Sequence, residues 1–164
     1  MAEKKMGKDI KEINRRKRIW LLQLLFEQEY YEASDIEEML CLFKESFAVN
    51  DDPDDEDVVA DTNGDFDSVA DKFRNMFAKL GEIDSVIEKL TVGWKLDRIG
   101  KCELQAIRIA VYEIYFSKDT PVKVSVNEAV ELAKMFGNEN GGAFVNGVLA
   151  KSEAVKATKQ EVNE

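Results

Sequence analysis

The sequence predicts an all-α fold, about seven helices packed as bundles. Three observations carry that expectation. The 164 residues include only two prolines and nine glycines, too few turn formers for a fold of many short strands. No run alternates apolar and polar residues with period two. Apolar residues recur instead at three- and four-residue intervals, without any longer internal repeat. With 45% hydrophobic and 34% charged residues, the chain has the balance of a globular protein and needs no disulfide or metal staple.

The elements follow in order. A first helix is expected over about 8–31. Its run from Ile19 to Phe26 is apolar nearly all round. Such a helix is either buried on several sides or seals a homodimer, and both readings stay open. Ser34-Asp35-Ile36-Glu37 reads as a capping box that opens a second helix ending near Ala48. Residues 50–67 hold nine acids and no base, with Pro53 and Asn63-Gly64 as punctuation, and read as a solvated loop. A third helix is expected over 66–80, with Val69, Phe73, Met76, Phe77 and Leu80 on one stripe and Gly81 as its stop. A short fourth helix covers about 83–91. The fifth, about 97–118, places Leu104, Ile107, Val111 and Ile114 on one line, with Ala106 and Ala110 leaving room for close approach. Pro121 breaks the chain. The sixth helix runs to Phe136 with Val126, Ala129, Val130, Ala133 and Phe136 on one face. The seventh, about 142–157, buries Phe144, Val145, Val148 and Leu149. The domain reading is a basic arm over 1–18, an N-terminal subdomain over 8–80 with an acidic loop at 50–65, a C-terminal subdomain over 82–157, and a tail.

Whole classes of chemistry drop out. There is no histidine, so triad-type catalysis and histidine-ligated zinc are excluded. Cys41 and Cys102 form no Cys-x-x-Cys pair and sit in apolar helical stretches. They are expected to be buried free thiols in a reducing compartment. The N-terminus has no apolar core of a signal peptide, and the run from Ile19 is too short to cross a bilayer, so neither secretion nor a membrane is expected. Gly93 and Gly100-Lys101 lack the spacing and hydroxyl of a phosphate loop, and Gly137, Gly141 and Gly142 are no dinucleotide fingerprint. Asp61, Asn63 and Asp65 mimic the start of a calcium loop, but Phe66 and Lys72 stand where glycine and glutamate are needed. Glu128 and Glu131 form a carboxylate pair that reads as a solvated helix face. No enzyme, cofactor or metal is nominated.

What remains is a charge asymmetry. The net charge is −10, yet residues 1–18 carry eight bases (Lys4, Lys5, Lys8, Lys11, Arg15, Arg16, Lys17, Arg18) against three acids, or +5. The rest of the chain carries −15. An arginine cluster of this density suits phosphate, because the guanidinium stays charged and binds in a fork. A solvated charged end is the competing reading. A membrane-surface arm fits less well, because the bases do not face a lone apolar stripe.

Further along, Pro121-Val-Lys-Val-Ser-Val-Asn-Glu-Ala-Val-Glu-Leu-Ala-Lys-Met-Phe-Gly137, then Phe144-Val-Asn-Gly-Val-Leu149, strongly resembles the NusB transcription antitermination family. So does Arg108-Ile-Ala-Val-Tyr-Glu113, and Arg15-Arg16-x-Arg18 with Gln23-x-x-Phe26 fits the family's opening helix. The resemblance covers 66–152 well and 11–48 weakly. It implies paired helical bundles without enzymatic activity that bind boxA-type single-stranded RNA of ribosomal RNA leaders. The implied partner is a small-subunit ribosomal protein in its NusE role, within an antitermination complex on RNA polymerase. It assigns RNA contact to Lys11, Arg15, Arg16, Arg18 and Phe144, and partner contact to Glu103. Phe144 stands equally as a stacking ring or a core side chain. The arm and the edge of the fifth and seventh helices are expected to make one RNA- and protein-binding surface. Where the family usually has Asp-Ser-x-Lys, this chain has Asn140-Gly141-Gly142-Ala143, which is expected to loosen the turn. Val122 replaces a usual tyrosine. The rival function is a helical protein-interaction module without RNA binding. A second rival, the NusB-like appendage of ribosomal RNA cytosine methyltransferases, would need a cofactor-binding domain for which these 164 residues leave no room.

Overall fold

A computed structural model describes residues 2–48 and 64–163, with side chains for 10–46 and 64–160. Most of the acidic run, including Asp61 and Asn63, lies outside the described residues. All regular structure among the described residues is helical, and the chain forms two compact units, Met1–Asn75 and Met76–Glu164.

In the first unit, α1 spans Ala2–Glu27 and ends in a 3-10 turn, Gln28–Tyr30. Trp20, Leu21, Leu22, Leu24 and Leu25 are buried, so the apolar run is core in this chain. α2 is Ile36–Ala48, and α3, Asp65–Ala78, starts in this unit and ends just past its boundary. Phe66 joins the three helices: its ring lies 6.3 Å from Trp20 and stacks on Phe43 at 5.6 Å. The expected capping box does not form. A 3-10 turn, Ala33–Asp35, precedes α2 and the Ser34 hydroxyl donates to Asp35 Oδ1. The Glu37 carboxylate is taken by Arg74, whose Nε and Nη2 donate at 2.7 and 2.9 Å. A long-range guanidinium fork outcompetes the local cap because it supplies two charged hydrogen bonds.

The second unit centres on α5, Lys101–Val111, in which every residue from Glu103 onward is buried. α4 (Leu80–Leu90), α6 (Val122–Phe136) and α7 (Gly141–Ala150) pack around it, and α8 (Glu153–Asn163) packs on α6 and α7. Arg108 ties α5 to α4: its Nε and Nη2 each donate to Asp84 at 2.9 Å, and its Nη1 donates to Gln105. Three expected boundaries move. The break before α4 falls at Lys79, and Gly81 lies inside the helix. The long fifth helix loses its ends, to a 3-10 turn at Leu96–Arg98 and to a π-helical stretch at Tyr112–Ser117 closed by Lys118 at φ 54°. The long seventh helix splits at Lys151 and Ser152, where the buried Ser152 hydroxyl lies 2.5 Å from the Tyr115 hydroxyl.

Two burial expectations are corrected. The cysteines are free but not buried: Cys41 is exposed on the outer side of α2, opposite Ile36, Met39 and Leu40, and Cys102 is half-buried. Glu128 is buried, not solvated, while Phe136 is exposed. In a short helix a step of one or two residues moves a side chain from the core line to the outer face.

Candidate nucleic-acid interface

The arm is part of α1, so its bases are distributed by helical period. Lys11 is exposed, and Arg15, Arg16 and Lys17 are half-buried. Arg18 is only 8% exposed. It lies four and seven residues before the buried Leu22 and Leu25, on the same stripe, so the helix turns it inward. The Arg16 guanidinium sits over the Trp20 ring, 5.4 Å from its centroid, and its Nη2 donates to Asp65 Oδ2 at 3.1 Å. Lys17 Nζ lies 3.6 Å from the other oxygen of Asp65. The Arg16 Nε is buried and has no acceptor among the described residues. One carboxylate at the start of α3 thus pairs with two cations in the middle of the arm. Sequence reading left Asp65 in the acidic loop and missed this, because the pair is 49 residues apart.

Glu103 is the third residue of α5 and is only 4% exposed. Its carboxylate points inward and accepts from the Asn138 backbone N–H at 2.6 Å. Gly100, Gly137 and Gly141 surround it: a Cβ at any of the three would strike the carboxylate. Glu103 therefore joins the start of α5, the end of α6 and the start of α7. The glycine pair expected to loosen the last turn does the opposite. Gly141 and Gly142 are buried, Gly141 against Glu103 and Gly142 against the stem of Lys134.

Phe144, on α7, is half-buried and touches Trp94 edge to face, with ring centroids 6.0 Å apart. Trp94 ends the turn Thr91-Val92-Gly93-Trp94, which its own N–H closes by donating to Thr91 O at 2.9 Å. Gly93 sits at φ +89°, which a side chain would strain. Thr91 is buried and its hydroxyl donates to Ile87 O, which anchors the turn to α4. Trp94 itself remains 56% exposed. Sequence reasoning passed over it; a tryptophan directly after a Val-Gly turn was the available signal.

The NusB family model matches residues 15–154, from the first arginine of the arm to the start of α8. The chain belongs to the NusB family. Among its relatives, the transcription antitermination protein NusB of Lachnoclostridium phytofermentans is 38% identical over 80% of this chain and 91% of that protein. The NusB of Agathobacter rectalis is 39% identical over 80% of this chain and 92% of that protein. Among solved structures, NusB of T. maritima superposes with a TM-score of 0.67 at 27% identity, over 92% of this chain and 96% of the other. A chain in the crystal structure of a plectonemic RNA supercoil superposes with a TM-score of 0.68 at 25% identity, over 90% and 96%. Within this NusB-family frame Lys11 lies outside the matched segment, while Arg15, Arg16, Arg18, Glu103 and Phe144 lie inside it. Among the described residues no helix is long and apolar enough to cross a membrane, and no cluster of acidic or thiol side chains is placed to hold a metal ion.

Proposed function

We propose that this transcription antitermination factor binds boxA-type single-stranded RNA through the N-terminal part of α1. It does so with a small basic ribosomal protein as partner, inside an RNA polymerase antitermination complex. The observation that carries the reading is the run of cations on α1 that its core does not bury, with Lys11 exposed and Arg15, Arg16 and Lys17 half-buried. A single carboxylate, Asp65, occupies the place a phosphate would take between Arg16 and Lys17. Arg18 serves the fold rather than the RNA, and Glu103 acts by holding the α5, α6 and α7 ends in register rather than by touching the partner. The −15 carried by residues beyond the arm suits a basic protein and discourages indiscriminate nucleic-acid binding.

The test is fluorescence anisotropy of a labelled boxA-type RNA and a scrambled control, each titrated with and without the small-subunit ribosomal protein. Partner-enhanced, sequence-selective binding is expected. With about four phosphates neutralised, log K should fall against log salt with a slope of roughly −2.8. Equal affinity for both RNAs under both conditions would overturn the reading. Partner binding without any RNA binding would establish the protein-only module instead.

A further inference from the structure

Trp94 is the largest apolar side chain that the second unit leaves in water. It is not a loose loop residue. Its turn is closed by a backbone hydrogen bond, depends on a glycine at positive φ, and is anchored by a buried threonine. Next to it, Val92 is 79% exposed and Lys95 and Arg98 are exposed cations. The ring is braced edge-on by Phe144, not stacked on it, so most of the indole surface stays open. Holding a large ring rigidly in solvent, with cations following it in the chain, is what a nucleobase-stacking platform requires. The ordering entropy is lost on folding, and each base offers a π-face whatever its sequence.

We propose that Trp94 stacks on a base of the bound single-stranded RNA, with Phe144 as its brace and Lys95 or Arg98 meeting the adjoining backbone phosphate. This rests on the RNA-binding reading above and adds Trp94 to it. It divides the roles of the two aromatics: Phe144, half-buried, positions the ring, and Trp94 carries the contact.

The chain has two tryptophans, and the other, Trp20, is buried. Trp94 emission is therefore the component present in the native protein and missing from W94F. A boxA-type single-stranded RNA, titrated with the small-subunit ribosomal protein present, should quench that component, and an abasic oligomer of the same length and charge should not. W94A should weaken binding of the RNA about tenfold, and W94F, which keeps a ring, by less than about threefold. Anisotropy on the same samples separates the failures. RNA binding with a silent Trp94 and an unchanged W94A affinity overturns the platform and leaves the RNA reading standing. Absence of RNA binding in the native protein overturns both. A Trp94 response to the ribosomal protein alone, with none to RNA, also overturns the platform and makes the turn a protein contact. The quenching is read on native protein, so the test holds even if W94A fails to fold.

Discussion

Asp65 bridges Arg16 and Lys17, with Oδ2 3.1 Å from Arg16 Nη2 and Oδ1 3.6 Å from Lys17 Nζ. The carboxylate is mostly shielded, at 17% exposure. It competes with any phosphate for the same donors. D65N keeps the shape and removes the charge. RNA binding should tighten by up to about fivefold at low salt, since such pairs are worth about 1 kcal/mol or less. Anisotropy titration checks it; unchanged affinity would mean that the RNA path avoids Arg16.

Arg15 and Arg18 should behave oppositely. R15A should flatten the salt slope by roughly 0.7 and leave stability nearly unchanged. R18A should leave the slope alone and cost about 1–3 kcal/mol in denaturant unfolding, because it empties a buried polar position. A flattened slope in R18A would return that residue to the interface.

Glu103 and Gly141 should couple. G141A drives a Cβ to 2.5 Å from Glu103 Oε1, and overpacking of this kind costs about 1–3 kcal/mol. E103A removes the acceptor of the Asn138 N–H, at a similar cost of about 1–3 kcal/mol. With the carboxylate gone, the extra methyl meets less resistance, so the double variant should be less destabilised than the sum of the two. A double-mutant cycle by urea unfolding measures this, and strict additivity would remove the cradle argument.

The Arg74 fork holds the Glu37 carboxyl below its ordinary value, mainly by hydrogen bonding, with the guanidinium charge adding to it. A carboxylate depressed in the folded state contributes stability above its unfolded pKa, about 4.3, and that contribution disappears as pH falls through the lower folded value. E37Q should therefore be less stable than the native chain at neutral pH and converge with it in acid. Glu27 runs the other way. Burial raises its pKa, so its contribution is present at low pH and lost as pH rises, and E27Q should gain relative stability toward neutrality. Denaturant midpoints across pH 2 to about 7 check both signs.

The thiols should react at two rates. Cys41 is exposed, whereas burial and then the Glu103 charge push the Cys102 thiol up, which lowers its thiolate fraction. Thiol titration of the native protein at mildly alkaline pH should show a fast and a slow phase, and C41S should abolish the fast one. A single rate for both would contradict the placement of Cys41.

The sequence by itself determined the helical class, the α5 core line through Leu104, Ile107, Val111 and Ile114, and the family, because periodicity and a long contiguous motif are local information. Helix ends were legible to within a few residues, except where distant groups decided them. Ser34 looked like a cap until Arg74 claimed Glu37, and the helix ending the chain looked continuous until Tyr115 met Ser152. The arm's charge was visible, but its division was not: that Asp65 sits on Arg16 depends on packing across a separation of 49 residues. Likewise, Gly141 signalled looseness in sequence and is a close contact in the fold, because only the third dimension places a carboxylate from α5 against it. Local patterns decide which elements form; which polar groups they spend on one another, and which they leave for a ligand, is decided by neighbours that the chain brings together from afar.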